Sequence, residues 1–200
     1  MLTSSAYRRS PAITPHSSAG YLAAVLIGVL LLSLSSYLTI PMVPVPITLQ
    51  TLVVTLIGAV YGWRLGAFTV ALWLLAGAAG LPVLADGSSG LQKFQGPTAG
   101  YLFAFPLAAA LAGWLAQRGC DGRNLLRAVL AMLAATALCL LFGGAWLATA
   151  IGWEKALMRG VVPFLLGGVI KSVAAALLLK AGHAWQAGRI AHGSNDPLSN

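Results

Sequence analysis

The residue best suited to chemistry inside the apolar parts of this chain is a single lysine, Lys171. Long stretches without any charge occupy residues 10–63, 65–85, 94–117 and 128–153. The apolar stretch 160–179 carries one charge, and that charge is Lys171. A cation inside a membrane is costly unless it faces protein, water or a ligand. We therefore predict a membrane protein with a polar site built around Lys171.

The depth of Lys171 favours a binding site over a structural role. Pro163 suits the first turn of the last apolar helix, which places Lys171 roughly 12 Å into that helix at ~1.5 Å per residue. A lysine at that depth is poorly placed to reach the membrane surface. An interhelical hydrogen bond remains the alternative interpretation.

A second candidate region is the glycine-rich loop 86–101, which leads directly into an apolar segment. Glycines allow the backbone to approach a ligand closely, and amides at a helix start can donate hydrogen bonds. A flexible connector is the alternative interpretation of the same loop.

Composition determines the kind of scaffold that positions these residues. The 200 residues are 58% hydrophobic and 8% charged, against about 25% charged in a soluble domain. A membrane span needs roughly 20 apolar residues. We predict an all-α membrane protein with six transmembrane helices in one bundle (residues 19–182) between flexible tails at 1–18 and 183–200. The predicted spans are 19–38, 47–61, 65–80, 97–116, 128–150 and 161–182.

The basic residues predict the orientation of these spans. An even number of spans with the N-terminus inside places eight of them on the inside and three outside. The inside set is Arg8, Arg9, Arg64, Arg118, Arg123, Arg127, Lys180 and Arg189, and the outside set is Lys93, Lys155 and Arg159. Cytoplasmic loops carry such an excess, so we predict that both termini are cytoplasmic. The net charge of +8 therefore reflects topology in the lipid bilayer, and no nucleic-acid partner is predicted.

Other chemistries find less support in the sequence. Cys120 and Cys139 have no metal or redox spacing, so we predict free thiols, no metal and no cofactor. The segment Gly87-Ser88-Ser89-Gly90 resembles the serine motif of a rhomboid-type intramembrane protease, but His183 is predicted at the opposite membrane face. The four acidic residues fall outside the spans, which disfavours a proton-coupled secondary transporter or channel.

Four segments together carry a family resemblance. They are PVPITLQTL at 44–52, PVLA at 82–85 with Gly87-Ser88, GPTAGYL at 96–102 and VPFLLGGVIK at 162–171. In this order they resemble the BioY family, the biotin-binding S-components of energy-coupling factor (ECF) transporters. The chain departs from the family pattern at Asp86, Ser89 and Ala99, where many members have glycine, and at Leu166-Gly167-Gly168, where many have Pro-Gly-Asp.

The resemblance implies a function and its partners. It implies a six-helix protein of the bacterial inner (plasma) membrane that binds biotin near the outer face and is not an enzyme. It also implies an energising module of one transmembrane coupling protein and two ABC-type ATPases. Homo-oligomer formation and uptake without the module stay open alternatives.

The resemblance also gives the candidate residues their roles. Lys171 would meet either the carboxylate or the ureido oxygen of biotin, and the sequence does not choose between them. Neutral polar partners, residues of the glycine-rich segment, and aromatic walls complete the predicted site: Gln50, Thr48, Gln92, Gln95, Gly96, Thr98, Gly100, Tyr101, Trp73 and Phe94.

Small residues in the first span suggest a docking face. Ala19 and Ala23 are four residues apart, as are Ala24 and Gly28, and such spacing lets helices approach closely. The resemblance implies that an alanine face of this kind docks onto the coupling protein. Packing within the bundle itself explains the spacing equally well.

Overall fold

The structure, a computed structural model, describes residues 17–193, with side chains described as far as residue 185. The described chain contains seven α-helices: α1 (Ser18–Tyr37), α2 (Gln50–Tyr61), α3 (Trp63–Ala78), α4 (Ala99–Gln117), α5 (Leu125–Ile151), α6 (Trp153–Ala156) and α7 (Val162–Gly193). Strands β1 (Thr39–Ile40) and β2 (Ile47–Thr48) pair antiparallel. Short 3₁₀ turns occupy Ala85–Gly87 and Leu91–Phe94, and a π-helical turn, Leu157–Val161, joins α6 to α7.

Helix length separates four strong membrane spans from two short helices. Within the described residues, α1, α4, α5 and the segment Trp153–Trp185 are long and apolar enough to cross a membrane. The apolar helices α2 and α3 have only 12 and 16 residues. A 12-residue helix is about 18 Å long, against about 30 Å of hydrocarbon core. The all-α architecture is thus as predicted, whereas the count of six spans stays a prediction.

Most predicted helix boundaries lie within three residues of those in the structure, and two differences change the local structure. The second helix begins at Gln50 rather than at residue 47, because Ile47–Thr48 is extended and pairs with β1. The last helix continues to Gly193, past the predicted end at 182, since Ala, Gln and Arg in this segment are good helix formers. Residues 1–16 and 194–200 of the two predicted tails lie outside the described residues.

Helix α4 forms the centre of the bundle and packs against α2, α3 and α5. Its alanines Ala104, Ala108 and Ala112 are completely buried. Small side chains let backbones approach closely in a membrane, and Gly58 of α2 touches the α4 backbone so tightly that a Cβ there would collide with Ala109. The core is therefore built on small residues at the crossings of α4.

Helix α1 lies at the edge of the bundle, against α2 and α3. A Cβ at Gly28 would meet Thr69 at 2.6 Å and Tyr61 at 3.2 Å, so this glycine permits a close crossing. The Tyr61 hydroxyl donates to the Ala24 carbonyl at 2.8 Å. These contacts fix the middle of α1 on its neighbours.

The helix connections collect at two ends of the bundle. At one end, Tyr37 at the end of α1 bonds to Pro82 after α3, and Trp146 late in α5 bonds to Gly96 before α4. At the opposite end, the turn at Gly122 between α4 and α5 lies against Leu179 and Lys180 of α7. The first end carries the candidate site, so we name it the site end.

Candidate functional site

Lys171 of α7 is buried, with 9% of its surface exposed. Its Nζ donates to the Thr48 carbonyl oxygen at 3.0 Å and to Thr51 Oγ1 at 2.8 Å. An ammonium group has three N–H donors. Two of them are therefore engaged with neutral oxygens at the end of β2 and the start of α2, and within the described residues the third has no hydrogen-bond partner.

The Gln50 side chain extends this polar cluster to α1. Gln50 is 4% exposed; its Oε1 accepts from Thr48 Oγ1 at 3.0 Å and its Nε2 donates to Ser36 Oγ at 2.9 Å. The Ser36 hydroxyl in turn donates to the Leu32 carbonyl at 2.8 Å. Hydrogen-bonded residues thus connect α1, the end of β2, α2 and α7, and we call Ser36, Thr48, Gln50, Thr51 and Lys171 the polar network.

A cavity of about 720 Å³ lies beside the polar network at the site end. Its polar lining includes Thr48, Gln50, Thr51, Thr136 and Lys171. Its apolar lining includes Val45, Leu84, Tyr101, Phe105, Leu140 and Phe164. Ligand sites are typically cavities of 300–1,000 Å³ with mostly apolar walls and a few placed polar groups. The cavity has the size and the lining of a small-molecule site.

Aromatic side chains form walls that are fixed by their own contacts. The Tyr101 hydroxyl donates to the Gly160 carbonyl at 2.6 Å, and its ring lies 6.2 Å from that of Phe164. Behind the cavity, the Trp73 ring lies 6.1 Å from Phe105. Because its hydroxyl is engaged with Gly160, Tyr101 presents the cavity with an aromatic surface.

Two loops border the cavity and are tied to the helices. Residues 41–46, between β1 and β2, contribute lining residues, as does the loop between α3 and α4. Thr39 of β1 donates to the Asp86 carboxylate, and the Tyr37 hydroxyl donates to the Pro82 carbonyl at 2.6 Å. These bonds tie the loop between α3 and α4 to β1 and to the end of α1.

The structure brings seven of the predicted site residues to the cavity. They come from the end of β2, the start of α2, the loop between α3 and α4, the start of α4, and α7: Thr48, Gln50, Gln92, Gly96, Thr98, Tyr101 and Lys171. The polar residues within the apolar segments and the glycine-rich loop therefore converge on one cavity.

Four predicted residues do not line it. Trp73 is completely buried in the core, where its Nε1 donates to the Val83 carbonyl at 3.0 Å. Gly100 faces α5, because a Cβ there would collide with Trp146. Phe94 packs 5.9 Å from the Phe103 ring, and Gln95 is exposed on the loop. Each of these four residues lies close to a lining residue, but its side chain or Cβ position faces away from the cavity.

Several lining residues escaped the sequence reasoning. Thr51 accepts a hydrogen bond from Lys171. The sequence did not single it out, because threonines in apolar helices commonly bond to their own backbone, as Thr55 does here. Thr136 and Cys139 of α5 also line the cavity. The proline-rich segment 41–46, which has no polar side chain to mark it as a candidate, also contributes lining residues.

The structure corrects half of the predicted docking face on α1. Ala24 is 8% exposed and Gly28 is buried against α2 and α3, so the Ala24–Gly28 pair packs within the bundle. Ala19 and Ala23 are exposed. Only this second pair is available to a partner helix.

The serine-protease alternative receives no support from the geometry. Ser88 and Ser89 lie in the loop at the site end, and the Ser88 hydroxyl donates to the Ala85 carbonyl at 2.6 Å. His183 lies beyond Lys180, towards the opposite end of α7. His16 and the side chain of His192 lie outside the described residues.

Comparison with known proteins agrees with these observations. The BioY family profile matches residues 9–188. The chain is 35% identical to the "Probable biotin transporter BioY" of Pyrococcus horikoshii over 75% of its length and 88% of the relative. It is 41% identical to the "Biotin transporter BioY" of Rhizobium etli over 70% of its length and 78% of the relative.

A solved structure shares the fold. The crystal structure of "the S-component for biotin from an ECF-type ABC transporter" superposes with a TM-score of 0.75 at 24% identity, covering 85% of this chain and 94% of the other. The family profile and the two relatives together show that this chain, an integral membrane protein of the bacterial plasma membrane, belongs to the BioY family.

Proposed function

We propose that this chain is the biotin-binding S-component of an ECF transporter and that the cavity at Lys171 is its binding site. The observation that carries the proposal is the buried lysine, held by Thr48 and Thr51 with one N–H remaining, on the wall of a cavity of about 720 Å³. The names of the similar proteins, which include biotin transporters, support the ligand assignment.

The lining suits the chemistry of biotin. A ureido oxygen or a carboxylate accepts hydrogen bonds, and Lys171 and Gln50 offer donors. The ureido N–H groups need acceptors, which the oxygens of Thr51 and Gln50 supply. The thioether ring and the valerate chain need apolar surroundings, which Tyr101, Phe105 and Phe164 provide.

The distribution of charge supports an outward-facing cavity. The site end carries Lys93, Lys155 and Arg159, whereas Arg64, Arg118, Arg123, Arg127 and Lys180 lie towards the opposite end. Because basic residues accumulate in cytoplasmic loops, we assign the site end to the outside and both termini to the cytoplasm, with α2 and α3 completing six spans.

Energy for uptake must come from another protein in this proposal. The sequence has no Gly-Lys-Ser or Gly-Lys-Thr of the kind that ends a phosphate-binding loop, and its one Lys-Ser pair, Lys171-Ser172, lies within α7. We infer that a transmembrane coupling protein and ABC-type ATPases energise the cycle and that the coupling protein docks on the exposed alanines Ala19 and Ala23.

A ligand titration tests the proposal. The purified protein is titrated with biotin, desthiobiotin, thiamine and riboflavin by calorimetry. Tight binding of biotin with no response to thiamine or riboflavin is the expected result, and absence of biotin binding by folded protein would contradict the proposal. Biotin uptake in cells without the ATPase module would instead favour a transporter that works alone.

A further inference from the structure

Ser36 belongs to the polar network although it does not line the cavity. It lies on α1 and is completely buried. Its oxygen accepts a hydrogen bond from Gln50 Nε2 at 2.9 Å, and its hydroxyl hydrogen goes to the Leu32 carbonyl at 2.8 Å. A serine hydroxyl has one hydrogen, so as long as that hydrogen is engaged with Leu32, Ser36 acts towards Gln50 as an acceptor.

Because Ser36 accepts a hydrogen bond from Gln50, it determines how the Gln50 amide is oriented. An amide can turn by 180° and exchange its carbonyl oxygen for its NH₂ group. The Thr48 hydroxyl, on the other side of Gln50, can either donate or accept, so it fits both orientations. Ser36 fits only one, in which the NH₂ group faces α1 and the carbonyl oxygen faces Thr48.

The orientation extends from Gln50 to the cavity surface. With its oxygen towards Thr48, Gln50 makes the Thr48 hydroxyl a donor to Oε1, at 3.0 Å. Thr48 also supplies the carbonyl that holds Lys171. The remaining N–H and lone pair of Gln50, which does line the cavity, are thereby fixed before a ligand arrives. A group fixed in advance does not have to be ordered on binding.

We propose that Ser36 is a positioning residue for the ligand site, which sets the donor and acceptor pattern of the cavity through the Gln50 amide. The inference rests on the proposed function, because it takes biotin as the ligand of this cavity.

The neighbouring Ser35 provides a matched control. It is also buried on α1, at 5% exposed, and its hydroxyl donates to the same Leu32 carbonyl at 2.7 Å. In the described structure it makes no bond to Gln50. The variants Ser35→Ala and Ser36→Ala thus remove equivalent bonds within α1, but only Ser36→Ala frees the Gln50 amide.

The test is a biotin titration of the purified full chain combined with thermal unfolding without ligand. We expect Ser36→Ala to raise the Kd about fivefold, the effect of one net hydrogen bond, and Ser35→Ala to leave it unchanged. Both should lower the Tm of the unliganded protein, and Ser36→Ala should lower it more, because it also leaves the buried Gln50 NH₂ group without its partner on α1. In a Gln50→Ala background, Ser36→Ala should cause no further loss, because residues acting through one another are not additive.

The outcomes separate this inference from the proposed function. Equal effects of Ser35→Ala and Ser36→Ala on the Kd, or full additivity with Gln50→Ala, would overturn the positioning role alone. Wild-type protein that fails to bind biotin would overturn both. If Ser36→Ala does not purify as folded protein, Ser36→Cys replaces it: a thiol is a weaker acceptor, so a smaller rise in Kd is expected and an unchanged Kd would overturn the inference.

Discussion

At the residue scale, Lys171 provides the most direct test of the site. Replacing it by alanine removes the only ammonium among the polar network and its hydrogen bond to a ligand. A hydrogen bond with a charged partner contributes about 1.5–3 kcal/mol, so we expect Lys171→Ala to weaken biotin binding at least tenfold in a calorimetric titration. Lys180→Ala is the control, since this exposed lysine lies on the same helix at the opposite end. Unchanged affinity in Lys171→Ala would make the lysine structural.

Thr51 tests whether the lysine must be held in place. Thr51→Val keeps the shape of the side chain but removes the oxygen that accepts from Nζ at 2.8 Å. We expect roughly fivefold weaker biotin binding, a smaller loss than for Lys171→Ala, because this bond acts on the ligand through the position of Lys171 and Thr48 still holds the ammonium group. Thr51→Ser retains the hydroxyl and should bind like the wild type. If Thr51→Val also binds like the wild type, Thr48 alone positions Lys171.

Sequence reasoning found the cavity-lining residues that are polar where apolar residues are expected. Lys171 and Gln50 stand out because polar side chains are costly in a membrane. It failed for Trp73 and Gly100, because composition does not reveal which face of a helix meets a cavity. It also missed Thr51, whose hydroxyl could equally have bonded to its own helix.

At the element scale, α1 has an exposed face and a buried face, and we expect substitutions on the two faces to have different effects. Ala23 is exposed, whereas Ala24 is buried beside Tyr61. We expect Ala23→Leu to retain biotin binding but to lose uptake in cells that carry the ATPase module, because a bulky side chain separates two docked helices. Binding to the purified variant and uptake into cells are the two measurements.

Ala24→Leu is the matched control for that experiment. Overpacking a well-packed core costs about 1–3 kcal/mol, so this variant should unfold at a lower temperature than Ala23→Leu. Uptake by Ala23→Leu at the wild-type rate would place the docking surface elsewhere. Loss of binding as well as uptake in Ala23→Leu would show that Ala23 supports the bundle itself.

The elements were predictable where hydrophobicity alone sets them. The four long helices follow from apolar runs bounded by turn residues. The extended segment before α2 did not, because hydrophobicity does not show that Ile47–Thr48 pairs with β1. The β-branched side chains of Ile47 and Thr48 agree with this extended backbone.

At the scale of the whole molecule, the orientation in the membrane can be measured with cysteine labelling. Leu91 is 67% exposed at the site end, and the Arg123 side chain is 64% exposed at the other. We expect a membrane-impermeant maleimide to label Leu91→Cys in intact cells and Arg123→Cys only after the membrane is opened. The reverse pattern would contradict the assigned topology.

The native cysteines should be replaced in that experiment. Burial raises the pKa of the Cys120 thiol, against a smaller lowering by Arg127, so Cys120 reacts slowly at neutral pH but would add background. Cys139 lines the cavity. Gly122 is unsuitable as a labelling position, because it has a φ of +98° and a side chain there would press on the α7 backbone.

Because Ser36 is bonded to Gln50, a tilt of α1 would be transmitted to the cavity. About 20 Å of helix separate Ala23 from Ser36, at ~1.5 Å per residue. A tilt of α1 by about 5° around Ala23 would displace Ser36 by about 2 Å over that length. If that displacement is directed away from Gln50, the 2.9 Å bond lengthens beyond hydrogen-bonding distance. A small tilt of α1 away from α2 would therefore release the Gln50 side of the cavity, without any partner touching the cavity itself.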